Sequence, residues 1–143
     1  MSAGTGITHS EYNHSKEKPV KLLQLWVFPK EKNITPRYEQ KTFLPEERKN
    51  QLQIVVSPDK IDDAVWINQD AYFYLGSLEK GQNIDYSPKI KGNGAYIFVI
   101  NGGLIAAEEK LEQRDAIGIS NFDKVTLQAV DKTELLIVEV PMG

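Results

Sequence analysis

Cysteine is absent from the 143 residues, which excludes disulfide scaffolds, thiol catalysis and cysteine-held zinc in one step. Histidine is nearly as scarce: His9 and His14 are the only two, and none lies between Gln51 and Gly143. No apolar run approaches the roughly 20 residues that a helix needs to cross a bilayer. The N-terminus lacks the charged-then-apolar pattern of a signal peptide, so the cytoplasm is the expected compartment. A basic surplus is missing as well. With a formal net charge of −3, a pI near 5.4 and scattered lysines, direct contact with nucleic acid has no electrostatic footing. Helical periodicity is missing from almost the whole chain. The exception is Pro45, followed by Glu46, Glu47, Arg48 and Lys49, where proline and acids come first and bases last, as suits one short helical turn.

What is present is a soluble-domain composition, 41% hydrophobic and 26% charged, in a chain the size of one ordinary domain. From Gln51 onward the pattern is β throughout. The segments QLQIVVS, AVWIN, AYFYLGSL, NIDYS, GAYIFVING, LIAAEE, AIGIS, KVTLQAV and ELLIVEV are separated by SPDK, NQD, EKGQ, KGNG, NGG, SNFD and DKTE, which carry the Gly, Pro, Asn and Asp that reversals need. Nine short strands at regular spacing predict a sandwich or barrel. Tyr96, Phe98 and Ile100 alternate with Ile97 and Val99, apolar on both faces as in a central strand. In contrast, Val125, Leu127 and Ala129 alternate with Thr126 and Gln128, which leaves one face polar. Before Gln51, residues 29 to 50 read as a crossover linker with three prolines, and Lys21 to Phe28 reads as a strand ended by Pro29.

The residues with most chemistry stand at the N-terminus. His9 and Glu11 follow a small-residue turn at Gly4 and Gly6, and residues two apart on a strand project from one face, which is metal-ligand or acid/base geometry. His14 has the opposite parity, so it joins them only if the loop from Asn13 to Ser15 turns back. Gly92-Asn93-Gly94 and Asn101-Gly102-Gly103 sit between strands with no helix and no Lys-Ser/Thr after them, so they read as hairpin turns. Tyr72 and Tyr74 fall on one face of their strand and Phe73 on the other; with Trp66 they read as packing aromatics before they read as a ligand cleft.

The run MSAGTGITHSEYN, followed by LLQLWVFP, PRYEQ and NQLQIVVSPD, resembles the interior of a pirin-type bicupin. AYIFVI, NGG, LIAAEEKL and RDAIGIS resemble the closing half of a cupin jelly roll. The resemblance implies an all-β, cupin-like double-stranded β-helix with an N-terminal β arm and almost no helix. It divides the chain into residues 1–49, arm and linker left from a first cupin domain, and residues 50–143, a C-terminal cupin. Chains of that family are longer, and this sequence matches their second part. Met1 falls where they have an interior methionine, as in a shortened gene product, a split gene or a cloned fragment.

Members of that family resemble quercetin 2,3-dioxygenases, in which histidines and a glutamate hold a mononuclear metal. Carried over, His9 is a metal ligand and Glu11 a ligand or the catalytic base. The two further histidines of the family's first motif have no counterpart. A divalent iron, manganese, nickel or zinc ion is therefore expected only where another chain completes the site, through a homodimer or a partner docked on the arm. Arg37 and Glu39 of PRYEQ are expected to tie the linker to the barrel wall. Two other readings stay open beside the enzyme. One is a non-catalytic cupin acting through protein contacts, and the other is a remnant whose first segment seals the barrel by strand exchange in an obligate dimer.

Overall fold

A computed structural model describes residues 1–59 and 63–142, and among these described residues ten strands form. They are β1 (Leu52–Ser57), β2 (Val65–Trp66), β3 (Tyr72–Leu78), β4 (Asn83–Tyr86), β5 (Gly94–Asn101), β6 (Leu104–Ala106), β7 (Glu109–Leu111), β8 (Ala116–Ile119), β9 (Val125–Ala129) and β10 (Thr133–Val140). Six form one sheet in the order β2-β1-β3-β10-β5-β8, and four form the other in the order β4-β9-β6-β7. All pairs are antiparallel except β1 with β2. The result is the jelly-roll sandwich that the alternating pattern predicts. Its sole regular helical piece among the described residues is the 3-10 turn Pro45–Arg48, with proline at its start, Glu46 and Glu47 in its first turn and Arg48 in its last.

Alternation decides which side chains meet. On β5 the odd-numbered Ala95, Ile97 and Val99 are buried, and on β10 their partners Glu139, Ile137 and Leu135 are buried opposite them. Leu104 and Leu127, from the four-stranded sheet, close the core from the other side, both fully buried. Burial of a leucine of this kind contributes about 2 kcal/mol. β9 alternates buried and exposed residues along its whole length, as its sequence predicts. β5 lies between β10 and β8, one strand in from the sheet edge, and its even-numbered face is less covered than the central position expected of it, with Tyr96 exposed.

Two expectations need correction. LIAAEE is not one strand: it folds back on itself as β6 and β7, paired Leu104 with Leu111. The reversal is made by Ala107 and Glu108, both with positive φ (49° and 67°), a two-residue hairpin without the glycine or asparagine that normally announces one. The second correction concerns the arm. The strands expected near residues 5–12 and 21–28 do not form, and residues 1–44 contain only a single bridge, Ser2 with Arg37. A strand exists by hydrogen bonding to a neighbour, and every neighbour in the two sheets comes from residues 52–140. The reversal expected at SPDK runs into residues 60–62, outside the described residues.

Candidate functional site

The arm leaves the sandwich and returns to it at two built attachments. At the first, Gly4 takes a positive φ of 53° and packs so closely that a Cβ there would meet Ile34 O at 1.9 Å. This lets Thr5 N donate to Ile34 O (3.1 Å) and Ser2 exchange backbone hydrogen bonds with Arg37 (2.9 and 3.1 Å). Arg37 then lies over the ring of Trp66 at 4.8 Å and pairs with Glu39 at 2.8 Å. Glu39 also accepts from Trp66 N and stands 3.8 Å from Lys41. The Trp66 amide, with Arg37 and Lys41, holds its carboxyl below the usual carboxylate range. Arg37 and Glu39 thus tie the linker to β2, as their sequence position suggests.

The second attachment is the turn at residues 68–70. Lys30 N donates to Asn68 O (2.7 Å), Asn68 Nδ2 to Glu31 O (3.1 Å), Gln69 Nε2 to Phe28 O (2.9 Å), and Lys30 Nζ pairs with Asp70 at 2.6 Å. Between the attachments, residues 7–27 stand clear of the sandwich. Trp26 is 89% exposed and Tyr12 88%, and Phe28 at the base is 92% exposed. Leu22, Leu23 and Leu25 are exposed as well, so the apolar side chains of this segment form an uncovered stripe with Trp26 and Phe28 at its most open end.

His9 and Glu11 lie on this segment with His9 Nε2 3.8 Å from Glu11 Oε1, both side chains largely exposed. Two donors at ~2.1 Å in tetrahedral array stand ~3.4 Å apart, so this pair is a few tenths of an ångström wider than two ligands of one divalent ion. It does not fill the shell, since a catalytic mononuclear site takes three or four protein ligands. His14 does not join them. The following turn is closed by Asn13 Oδ1 accepting from Ser15 N (3.1 Å) and Asn13 Nδ2 donating to Lys18 O (2.7 Å). Among the described residues no group of three His, Cys, Asp or Glu stands in metal-binding array.

Inside the C-terminal sandwich lies a residue that the histidine search passes over. Glu139 on β10 is fully buried and accepts five hydrogen bonds. The donors are Tyr74 Oη (3.4 Å), Tyr86 Oη (2.8 Å), the backbone amides of Lys89 (3.0 Å) and Ile90 (2.9 Å), and Asn93 Nδ2 (3.0 Å). Among the described residues no Lys or Arg pairs with it, so its charge is compensated by oriented dipoles. Desolvation and the neighbouring carboxylate push the Tyr74 and Tyr86 phenols far up, and a hydrogen bond to Asp59 raises Tyr72 to about 12. A signal for Glu139 was present in ELLIVEV: it shares parity with Leu135 and Ile137, and Glu134 does not, so one of the two acids must face the core.

Comparison with known proteins places this geometry. The family described as the quercetinase C-terminal cupin domain matches residues 54–140, and the family described as pirin matches residues 1–27. A quercetin 2,3-dioxygenase of Escherichia coli (strain K12) is 34% identical over 141 residues, covering 99% of this chain and 59% of that protein. A pirin-like protein of Caulobacter vibrioides is 30% identical over 140 residues, 97% of this chain and 60% of its own length. The chain thus spans about three fifths of the curated relatives it matches. The crystal structure of YhhW from Escherichia coli superimposes with a TM-score of 0.74 at 28% identity, over 81% of this chain and 48% of that one. The bacterial pirin YhhW in complex with nickel(II) gives 0.72 at 27%, over 79% and 47%.

Proposed function

This chain belongs to the pirin family of quercetinase-like cupins, and from that membership we propose that it contributes half of a metal site for quercetin 2,3-dioxygenase-type oxygenation. The observation that carries the reading is the His9–Glu11 pair, 3.8 Å apart on an arm attached at both ends. His9 supplies a neutral imidazole donor and Glu11 a carboxylate. A bound divalent ion, of which iron, manganese, nickel and zinc are the candidates, would supply a Lewis-acidic centre for the phenolate of a flavonol and for dioxygen. Glu11 either ligates that ion or takes the proton of the flavonol hydroxyl, holding it on a carboxylate oxygen. The remaining ligands come from outside this chain, through a homodimer or through a partner polypeptide seated on the uncovered stripe of the arm. In this reading residues 1–49 are arm and linker belonging to a first cupin domain and residues 50–143 are the C-terminal cupin. The protein works in the cytoplasm, without direct contact with nucleic acid.

Dioxygen uptake with quercetin tests it. Metal-supplemented protein consumes dioxygen, and His9→Ala and Glu11→Gln each abolish the uptake. Uptake that is absent from the unaltered chain overturns completion by a homodimer, and uptake that survives His9→Ala overturns the proposal. A second reading, a non-catalytic cupin that acts through protein contacts, draws on one observation: among the described residues no third ligand accompanies His9 and Glu11. It predicts a folded chain that carries no metal and still binds its partner.

A further inference from the structure

Asn93 sits at the point where the interior of the sandwich meets the base of the arm. It is 5% exposed, and its side-chain amide donates in two directions, to Glu139 Oε1 at 3.0 Å and to Asp70 O at 3.0 Å. Glu139 is itself fixed by four other donors, and Asn93 N is held to Ile90 O at 3.1 Å. The residue therefore has a rigid support on its inner side. On its outer side is the turn at residues 68–70, which grips Phe28, Lys30 and Glu31 by four hydrogen bonds or ion pairs. A single buried amide thus links the barrel carboxylate to the turn that sets where the arm emerges. A buried polar side chain of this kind is held in one orientation by its partners, since leaving any of them unpaired costs more than the hydrogen bond contributes.

We propose that Asn93, braced by Glu139, is a positioning residue for the arm: it fixes the direction in which residues 7–27, and with them His9 and Glu11, leave the sandwich. The functional meaning of that direction rests on the metal reading of His9 and Glu11, whereas the coupling itself does not. Asn93 is thus more than the turn residue that Gly92-Asn93-Gly94 suggests.

Amide hydrogen exchange by NMR on the full chain is the test. In Asn93→Ala, exchange at Lys30 N, which is held to Asn68 O, speeds up by about tenfold, the loss of roughly one buried hydrogen bond. Exchange at Thr5 N, in the other attachment, stays as in the unaltered chain, and exchange along β10, where Glu139 loses one donor of five, rises by less than at Lys30 N. No change at Lys30, or a rise shared equally by β10, overturns the proposal, because the second pattern is ordinary loss of stability. If Asn93→Ala does not fold, exchange in the unaltered chain at low urea decides. Matching opening free energies and urea dependence for Lys30 N–H and the Asn93 side-chain amide support the coupling. Lys30 opening freely while the Asn93 amide stays protected overturns it. Metal content plays no part in these readouts, so a chain that holds no metal and passes them ends the metal reading alone.

Discussion

Tyr86 on β4 donates its hydroxyl to Glu139 Oε2 on β10 at 2.8 Å, a hydrogen bond that crosses from the four-stranded sheet to the six-stranded one. Both groups are buried, and Tyr74 meets Tyr86 edge-on with ring centroids 5.4 Å apart. Tyr86→Phe keeps the ring packing and removes one donor from a buried carboxylate. It should cost about 1–3 kcal/mol, read as a lower urea midpoint with unchanged m-value. A change below about 0.5 kcal/mol, the range of neutral surface substitutions, would show that the cross-sheet bond contributes nothing net.

The same cluster sets the alkaline limit. Tyr72, Tyr74 and Tyr86 have folded pKa values raised above the ordinary tyrosine value of 10.0, Tyr72 to about 12, by the Asp59 hydrogen bond in its case and chiefly by burial in the others. A group raised on folding stabilises the fold fully below its unfolded pKa, and the contribution is lost as pH rises through the folded one. Urea stability should therefore begin to fall above about pH 10 and keep falling toward pH 12. Tyrosinate absorbance should lag in the folded protein behind the same titration in urea. Superimposable titrations would contradict the assignment.

At acid pH the arm's first attachment responds in the opposite sense. Glu39 is held below the ordinary glutamate value of 4.5 by the Trp66 amide, Arg37 and Lys41, so its contribution is present above that value and lost as pH falls through the lower folded one. Glu39→Gln should flatten the acid dependence of Trp66 fluorescence, which reports the Arg37 stacking. A pH profile identical to that of the unaltered chain would dismiss the attachment as a titrating contact.

Exposure sorts the apolar residues by what they do. Trp26→Ser and Phe28→Ser, at 89% and 92% exposure, should leave urea stability within about 0.5 kcal/mol, whereas Leu127→Ala in the core should cost about 2–5 kcal/mol. If the arm substitutions destabilise the isolated chain as the core one does, the stripe is packed in solution and not open to a partner.

The sandwich was legible because its strands obey a period of two and its turns carry Gly, Asn and Asp. Tyr72 and Tyr74 do share the buried face, with Phe73 opposite. The β6–β7 hairpin was not legible, since Ala107 and Glu108 adopt positive φ on the strength of the flanking pairing, with no local signal. The arm misled for the reverse reason: LLQLWVF has strand chemistry but no strand beside it in this chain, and local propensity does not supply a partner. The pairing of His9 with Glu11 was read from a strand that does not form, and their side chains stand 3.8 Å apart without it. Glu139 was hidden because a search for ligands follows histidine, while its role comes from donors contributed by β3, β4 and the residues just before β5.

The central proposal is that His9 and Glu11 supply two ligands of a metal site whose other ligands lie outside these 143 residues. Native mass spectrometry of protein purified without chelators or a metal-binding tag reads mass and metal together. The account predicts a divalent ion only on species containing more than one polypeptide, and its loss from those species in His9→Ala. Metal on the single chain, or assemblies that carry none, would contradict it.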